Sequence, residues 1–295
     1  MKENTMKATT LSAASAGTIT LGGELTVNRL GFGAMRLTGD GIWGPPKDRA
    51  AAIAVLRRAV ELDLNFIDTA DSYGPNVSEE LIAEALAPYP KDLVIATKGG
   101  WNRPGPNQWT HDASPAHLRE AVEGSLRRLR LDRIDVYQLH VPDPVVPLDA
   151  SIETLANMRS EGKIRLVALS NVTVEHIERA RKIVPIVSVQ NRYSFTDREW
   201  DNVVDYCERS GIAFIPWFPL GAGLVAGRLL ERIAKARQVK SIQVALAWLL
   251  KRSTIMLPIP GTSSIAHLEE NVQAASLQLT DDEYLELTGI AQLAS

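Results

Sequence analysis

The chain has 295 residues, 45% of them hydrophobic, with a formal net charge of -3 and a pI near 6.0. This length is enough for one large core, and this charge gives no reason to expect nucleic acid or an acidic membrane as a partner. Cys207 is the single cysteine, which excludes an internal disulfide and fits a reducing cytosol. The start lacks the apolar region of a signal peptide, and no apolar run approaches the ~20 residues that span a bilayer. The sequence therefore predicts a soluble, cytoplasmic protein, either a monomer or a weak homo-oligomer.

Short apolar runs alternate with longer amphipathic segments from Leu30 almost to the C-terminus. The runs predicted as strands are Arg29–Phe32, Asn65–Ile67, Leu93–Thr97, Arg133–Gln138, Leu166–Leu169, Val187–Gln190, Ala213–Pro216 and Ile255–Pro258. The segments with helical periodicity are Arg49–Leu62, Ser78–Leu86, Pro115–Arg130, Leu148–Ser160, Val174–Ile183, Asp197–Ser210 and Ile242–Arg252. Alternation of this kind indicates a parallel sheet, closed or open.

Helix boundaries carry their own signals. Ser114 followed by Pro115 predicts a helix start. Thr196 and Thr280 each begin a segment with capping-box spacing. Gly162 and Gly211 are predicted to end the helices before them.

Two short runs, Thr18–Leu21 and Leu25–Asn28, flank Gly22-Gly23 and predict a β-hairpin before the first parallel strand. A hairpin does not fit the parallel series, but it can plug the N-terminal mouth of a barrel. No linker-like stretch divides the chain later. We therefore predict an α/β fold: one (β/α)8 TIM barrel domain over residues 18–295, closed at the bottom by the N-terminal β-hairpin. Residues 1–17 are predicted as a flexible segment, and an open doubly wound sheet is the structural alternative.

Polar side chains stand at or just after three of the predicted strands. Asp68 and Tyr73 follow the second strand, Lys98 the third and His140 the fourth. The active sites of parallel α/β barrels lie at the C-terminal ends of the strands, so these side chains are expected to meet. A lysine ammonium lowers the pKa of a neighbouring phenol, and a carboxylate keeps that lysine charged. Such a group can polarise a carbonyl but holds no nucleophile, so a hydride from a nicotinamide would complete the chemistry.

In this order and context, Asp68, Tyr73, Lys98 and His140 resemble the catalytic tetrad of the aldo-keto reductase superfamily. The resemblance extends from about Thr18 to Leu279. It implies an NADP(H)-dependent oxidoreductase that reduces an aldehyde or ketone to the alcohol by hydride transfer. Tyr73 would be the general acid, Lys98 would lower its pKa, Asp68 would pair with Lys98, and His140 would position the carbonyl. No metal site is predicted.

The run from Gly31 to Arg36 is not a Rossmann fingerprint, because Arg36 replaces the third glycine and no helix starts at once. A close backbone approach to a ligand at the end of the first strand explains it better. The family resemblance implies contacts to the nicotinamide carboxamide from Ser170, Asn171 and Gln190, and stacking of its ring on Trp217. The predicted cofactor-binding residues in this half of the site also include Gly33, Ala34, Met35, Asp68, Phe218, Pro219, Leu220, Gly221 and Gly223.

A loop of small residues, Gly261 to Ser264, opens a predicted helix, and such a helix start is a natural phosphate site. The resemblance implies that the adenosine phosphate binds here and that Asn271 touches adenine. Many family members carry Lys or Arg at the positions of Gly261 and His267. Here the hydroxyls of Thr262, Ser263 and Ser264, with His267, are left to hold the 2′-phosphate. Glu270 completes the predicted set; NADP is preferred and NAD is the alternative.

Substrate choice is expected to lie in the loops at the barrel mouth. Trp43 in the first loop, Trp101 and Trp109 in the third, and Tyr193 after the sixth strand are the predicted pocket residues. The predicted partner is a small-molecule carbonyl compound.

A finer resemblance, to the bacterial pyridoxal reductase branch, lies in the segments 41–49, 170–173 and 261–264. Members of that branch reduce pyridoxal to pyridoxine with NADPH. The third loop is less similar, so pyridoxal is only a candidate substrate. A slow-turnover redox-sensing subunit and an inactive scaffold are alternatives of another class, and the intact tetrad argues against the second.

Overall fold

The computed structural model describes residues 11–219 and 224–290. Its strands are β1 (Thr18–Leu21), β2 (Leu25–Asn28), β3 (Phe32–Gly33), β4 (Phe66–Asp68), β5 (Val94–Gly99), β6 (Trp101–Gly105), β7 (Gln108–His111), β8 (Ile134–Leu139), β9 (Ile164–Ser170), β10 (Ile186–Arg192) and β11 (Ala213–Trp217). Its α-helices are α1 (Arg49–Glu61), α2 (Val77–Leu86), α3 (Pro115–Leu129), α4 (Leu148–Ser160), α5 (Val174–Arg181), α6 (Asp201–Ser210), α7 (Leu224–Arg237), α8 (Ser241–Arg252), α9 (Ile265–Gln273) and α10 (Asp281–Ile290). None of the helices in these two ranges is both long and apolar enough to cross a membrane.

Seven parallel strands form the central sheet, in the order β11-β10-β9-β8-β5-β4-β3. The segment 255–258 closes the remaining gap. The Phe214 N–H donates to Ile255 O at 2.9 Å, and the Gly31 N–H donates to Pro258 O at 2.9 Å. This predicted eighth strand makes a single bridge, Phe214 to Met256, rather than a ladder, since Pro258 has no N–H to donate. The sheet is therefore a closed barrel, as predicted.

The β1–β2 hairpin closes the bottom of the barrel, also as predicted. Leu21 and Val27 are buried in one apolar cluster with residues from the strand starts, among them Phe66 and Val94. A Cβ placed on Gly22, at the hairpin tip, would lie 2.8 Å from a methyl group of Val187. The tip therefore packs directly against the barrel wall.

The segment just before the hairpin corrects one expectation. Residues 13–16 form a 3-10 helix in which Ala13 is fully buried and its N–H donates to Leu62 O at 2.9 Å. The prediction of a flexible segment was therefore wrong for residues 11–17, because the Ser- and Ala-rich composition concealed this packing. Residues 1–10 lie outside the described residues.

Most of the predicted helix starts and ends are confirmed. Ser114 caps α3, and Thr280 and Glu283 bond reciprocally at the start of α10. Gly211 ends α6 with a φ of +64°. The capping box predicted at Thr196 does not form, since Ser194 Oγ accepts from the N–H groups of Thr196 and Asp197 and holds them in a turn. Consequently α6 begins at Asp201 instead of Asp197.

Besides short 3-10 helices, the sequence analysis missed one hairpin and one α-helix. The third loop contains the antiparallel hairpin β6–β7, whose strand pattern was hidden by Pro104 and Gly105 at the end of β6 and by Pro106 in the turn. The helix α7 follows a glycine-rich stretch that gave no start signal. Of these, the hairpin matters for function, because it rises from the end of β5 beside the candidate site.

Candidate active site

The four predicted catalytic residues meet at one end of the barrel. Asp68 ends β4, Lys98 lies near the end of β5, and His140 directly follows β8. The parallel register pairs Lys98 with Gln138 of β8, so neighbouring strand ends carry the group. All four side chains are buried, with Tyr73 6% and His140 7% exposed.

The centre of the site is a buried ion pair between Lys98 and Asp68. Lys98 Nζ lies 2.6 Å from Asp68 Oδ2 and 2.8 Å from Thr69 O. Its third contact is Tyr73 Oη, at 3.2 Å. Burial lowers the pKa of Lys98, but the carboxylate of Asp68 and the phenol of Tyr73 raise it above its ordinary value. Lys98 is therefore a charged ammonium with its three donors occupied.

Tyr73 is a protonated phenol in this setting. Burial raises its pKa, and the neighbouring Lys98 charge lowers it by less, so the pKa lies above its ordinary value. The sequence-based expectation of a lowered pKa was correct for the effect of Lys98 and wrong for the balance, because it left out desolvation. A phenol held at 3.2 Å from an ammonium can give up its proton to a substrate oxygen.

His140 is neutral beside this phenol. Burial lowers its pKa well below the ordinary value, and the Lys98 charge lowers it further. The imidazole ring stands edge-on to the Tyr73 ring, with centroids 5.9 Å apart. Ser72 Oγ lies 3.4 Å from its Nδ1. A neutral imidazole can donate one hydrogen bond to a carbonyl oxygen without competing for the transferred proton.

Two glutamines orient the carboxylate of Asp68. Gln138 Nε2 donates to Asp68 Oδ1 at 2.8 Å, and Gln190 Nε2 donates to the same oxygen at 2.9 Å. Gln190 was predicted to face the nicotinamide carboxamide, but its amide nitrogen is directed at the catalytic carboxylate. Gln138 was missed, although its position as a polar residue inside the apolar run of β8 was a usable signal.

The ends of β9 and β11 form a polar and aromatic row next to His140. Asn171, with a φ of +58°, donates from Nδ2 to His140 O at 3.0 Å and to Ser170 Oγ at 3.1 Å. Its Oδ1 accepts from Trp217 Nε1 at 3.3 Å. Trp217 is half-buried and Phe218 is 42% exposed. The structure therefore brings Ser170, Asn171 and Trp217 together as predicted.

Gly33 and Gly261 lie where two backbone segments approach too closely for a side chain. A Cβ on Gly33 would lie 2.6 Å from Ile259 O, and one on Gly261 would lie 2.5 Å from Gly33 O. The backbone has no room for a side chain at Gly261, where many relatives were expected to carry a basic residue. In this chain, glycine at position 261 therefore lets the loop pass close to the Gly33 carbonyl.

The loop before α9 leaves backbone donors available. Thr262 Oγ1 accepts from the Ser264 N–H at 3.1 Å, and Ser264 makes no side-chain cap to α9. Uncapped N–H groups at a helix start fit a phosphate group. Ser263 and His267 are exposed beside this start, whereas Asn271 is 7% exposed.

The other predicted cofactor residues occupy the same rim. Ala34 and Met35 lie on the 3-10 helix Ala34–Leu37, Pro219 is half-buried, and the Glu270 carboxylate lies 4.0 Å from Lys240 Nζ. Leu220, Gly221 and Gly223 lie outside the described residues.

Three of the four predicted pocket residues lie at the mouth of the site. The rings of Trp101 and Trp109 are each 6.4 Å from the His140 ring, both edge-on. Trp43 forms a backbone bridge with Gly74, next to Tyr73. The indoles of Trp101 and Trp109 and the ring of Tyr73 therefore all stand edge-on to His140.

Tyr193 does not line the pocket, so that prediction was wrong. It is fully buried in the core. Its ring stacks on Trp248 at 6.0 Å, and its Oη donates to Asp201 Oδ1 at 2.5 Å. The chain turns after β10, and this turn directs Tyr193 towards the helices instead of the barrel mouth.

Near the tetrad lies a pair of buried carboxyl groups, Asp71 and Glu79, that the sequence analysis did not single out. Burial, with the nearby Glu79 carboxylate, raises the pKa of Asp71 to about 8. Asp71 Oδ1 has no hydrogen-bond partner. Glu79 is bound by Arg128 Nε at 2.6 Å and by Thr97 Oγ1 at 2.6 Å. Asp71 is therefore a protonated carboxylic acid at neutral pH.

A parallel barrel with an Asp–Lys pair, a phenol and a neutral imidazole at its mouth has the fold and site of a carbonyl-reducing oxidoreductase. The family model described as "Aldo/keto reductase family" matches residues 29–292. The chain belongs to the aldo/keto reductase family and is an oxidoreductase.

Similar proteins come from fungi and bacteria. An uncharacterized oxidoreductase of Schizosaccharomyces pombe is 51% identical over 285 residues, covering 96% of this chain and 92% of that protein. Pyridoxine 4-dehydrogenase of Escherichia coli is 46% identical over 285 residues, covering 94% of this chain and 99% of that protein.

Solved structures share the fold. An aldo/keto reductase from Klebsiella pneumoniae in complex with NADP and acetate superimposes with a TM-score of 0.79 at 25% identity, over 93% of this chain and 95% of that one. A glycerol dehydrogenase from Gluconobacter oxydans gives a TM-score of 0.84 at 25% identity, with the same coverage of 93% and 95%.

Proposed function

We propose that this protein reduces an aldehyde or ketone to the alcohol with NADPH, using Tyr73 as the proton donor. The observation that carries the proposal is the buried Lys98 ammonium, which contacts Asp68 at 2.6 Å and Tyr73 at 3.2 Å beside a neutral His140. This group fits a reaction in which a substrate oxygen gains negative charge and then a proton. The nicotinamide, when bound, supplies the hydride for the carbonyl carbon.

Each member of the tetrad has one task in this proposal. His140 donates a hydrogen bond to the carbonyl oxygen and orients it towards Tyr73. Tyr73 Oη gives its proton to that oxygen as negative charge develops. The phenolate left behind is stabilised by the Lys98 ammonium, 3.2 Å from Tyr73 Oη. Asp68, held by Gln138 and Gln190, keeps Lys98 charged and in place.

The cofactor is NADP(H), with the adenosine phosphate at the loop Gly261–Ser264 and the nicotinamide against Trp217. The uncapped start of α9 and the row Ser170, Asn171 and Trp217 fit the two ends of such a molecule. The Klebsiella pneumoniae relative crystallised with NADP supports the choice of nucleotide. NAD(H) is the alternative, since this loop carries hydroxyls and His267 rather than Lys or Arg.

The substrate class is a planar aromatic carbonyl compound, and pyridoxal is the first candidate. The rings of Trp101 and Trp109 each lie 6.4 Å from the His140 ring and give the site mouth an aromatic surface. Resemblance to pyridoxine 4-dehydrogenase of Escherichia coli supports this choice. The aromatic surface fits a ring, whereas a small aliphatic aldehyde would leave much of it uncovered.

The test measures loss of NADPH absorbance with pyridoxal, benzaldehyde and acetaldehyde, and repeats each rate with NADH. We expect turnover of the aromatic aldehydes with NADPH, lower efficiency with NADH, and turnover lowered by about 10²–10⁴-fold in Tyr73→Phe under the same conditions. Tight NADPH binding without turnover of any carbonyl would contradict the proposal and favour a redox-sensing role. Failure to bind either nucleotide would favour a scaffold.

Cellular location and assembly are part of the same proposal. We place the enzyme in the cytoplasm, because its one cysteine, Cys207, is a free buried thiol and can form no internal disulfide, which fits a reducing compartment. Residues 18–295 are proposed to form one domain that acts as a monomer or weak homo-oligomer. Size-exclusion chromatography with light scattering measures the second point, and a stable large oligomer would contradict it.

A further inference from the structure

Arg103 is a buried cation that the proposed reaction does not use. It lies on β6, in the hairpin that follows Lys98, and is 9% exposed. Its guanidinium donates to three backbone carbonyls: Nε to Gln108 O at 2.9 Å, Nη1 to Ser72 O at 2.8 Å, and Nη2 to Gly41 O at 3.0 Å. These carbonyls belong to the hairpin, the Tyr73 loop and the first loop. One side chain therefore joins all three segments around the mouth of the site.

The same guanidinium fixes two of the pocket tryptophans. Its central carbon lies 3.8 Å from the Trp109 ring centroid and 5.7 Å from the Trp43 ring centroid. A cation over an indole face is favourable, and more so when it is removed from water. With its N–H groups on carbonyls and a face covered by Trp109, Arg103 is poorly placed to receive an anionic substrate group.

Backbone contacts extend the connection between the loops. The Gly44 N–H donates to Gly74 O at 2.7 Å, and the Asn107 N–H donates to Gly41 O at 3.1 Å. Ser72, whose carbonyl Arg103 holds, directly precedes Tyr73 and places its Oγ 3.4 Å from His140 Nδ1. The loops that carry the tryptophans are therefore tied to the loop that carries the phenol.

We propose that Arg103 is the positioning residue that sets the preference for aromatic substrates, by holding Trp43 and Trp109 in place at the site mouth before the substrate arrives. It acts through these indoles and does not touch the substrate. The inference rests on the proposed carbonyl reduction and extends it to substrate selection. A pocket formed in advance avoids the entropic cost of ordering loops at each binding event.

The test compares Arg103→Lys with Arg29→Ala. Lysine keeps the charge but lacks the planar fork that reaches three carbonyls at once. Arg29 is a matched control at the opposite end of the barrel, where it also donates to three backbone carbonyls: those of Met256, Leu250 and Ser253. Steady-state KM and kcat are measured for benzaldehyde and for acetaldehyde, along with NADPH affinity from fluorescence quenching.

For Arg103→Lys we expect KM for benzaldehyde to rise about tenfold, the scale of one hydrogen bond to a charged group. The kcat, the KM for acetaldehyde and the affinity for NADPH should change little. Arg29→Ala should leave the ratio of the two KM values unchanged. Equal KM changes for both aldehydes, or the same selectivity loss in Arg29→Ala, would overturn the proposal.

A second measurement separates this inference from the proposed reaction. Hydrogen exchange of the Gly44 and Asn107 amides, measured without cofactor or substrate, reports whether the loops stay joined. We expect faster exchange at both amides in Arg103→Lys and not in Arg29→Ala. Unchanged exchange would overturn the positioning role even in an active enzyme. If Arg103→Lys exchanges faster but the wild type reduces no carbonyl, the loop connection stands and only the proposed function is refuted.

Discussion

Both ends of the barrel interior exclude water, but by different physical means. At the bottom, Leu21 and Val27 of the hairpin complete an apolar cluster. At the top, Lys98 and Asp68 are removed from water and depend on specific hydrogen bonds to stay charged. Apolar packing tolerates small shifts, whereas a buried ion pair depends on its geometry. Stability and chemistry are thus divided between the ends, as in other parallel barrels.

Lys98→Met should have the largest effect, because it lowers both the catalytic activity and the stability of the top end. It leaves the Asp68 carboxylate buried without its cation, which costs about 3–5 kcal/mol of unfolding free energy. Activity should fall to near the limit of detection, since no charge stabilises the Tyr73 phenolate. Chemical denaturation and NADPH turnover measure the two effects. The double variant with Asp68→Asn should regain stability but not activity, and a regain of activity would contradict the proposed role of Lys98.

Tyr73→Phe should lower the catalytic activity of the top end without lowering its stability. Loss of the proton donor lowers kcat/KM by about 10²–10⁴-fold. Lys98 keeps its contacts to Asp68 and Thr69, so the unfolding free energy and NADPH affinity should remain close to wild type. Near-normal turnover would show that another group supplies the proton.

Leu21→Ala, at the bottom end of the barrel, should lower stability and leave activity unchanged. Truncating this fully packed side chain should cost about 2–5 kcal/mol of unfolding free energy. The kcat and KM for an aromatic aldehyde should not change at temperatures where the variant is folded. A matched fall in kcat would mean that the two ends are coupled through the barrel.

Asp71→Asn tests the buried carboxyl group beside the site, and its effect on stability depends on pH. The pKa of Asp71 is raised from 3.8 to about 8, so the native state keeps a proton that the unfolded state loses in this window. The wild type therefore loses stability as pH rises from about 4 to 8, and the asparagine variant lacks this loss. Thermal midpoints from pH 5 to 8 should show the variant gaining relative to wild type. The exposed control Asp282→Asn should show no such trend.

The residues at strand ends were predictable from the sequence, because strand position alone determines that they meet. Asp68, Lys98 and His140 each follow an apolar run, and the barrel brings such ends together. Tyr193 follows the same pattern yet turns into the core against Trp248, which only the tertiary structure determines. Arg103 was missed because its three partners lie in separate loops, at Gly41, Ser72 and Gln108. The balance of pKa values likewise depends on burial, which strand patterns do not give.

The seam between β11 and β3 determines where the barrel opens most easily. The segment 255–258 holds the cylinder closed with few hydrogen bonds, and Pro258 and Pro260 donate none. The loop Gly261–Ser264, proposed to hold the nucleotide, continues directly from it and touches Gly33 on the opposite side. A nucleotide bound there would connect the two sides of this sparsely hydrogen-bonded seam. We therefore expect cofactor binding to slow opening of the barrel.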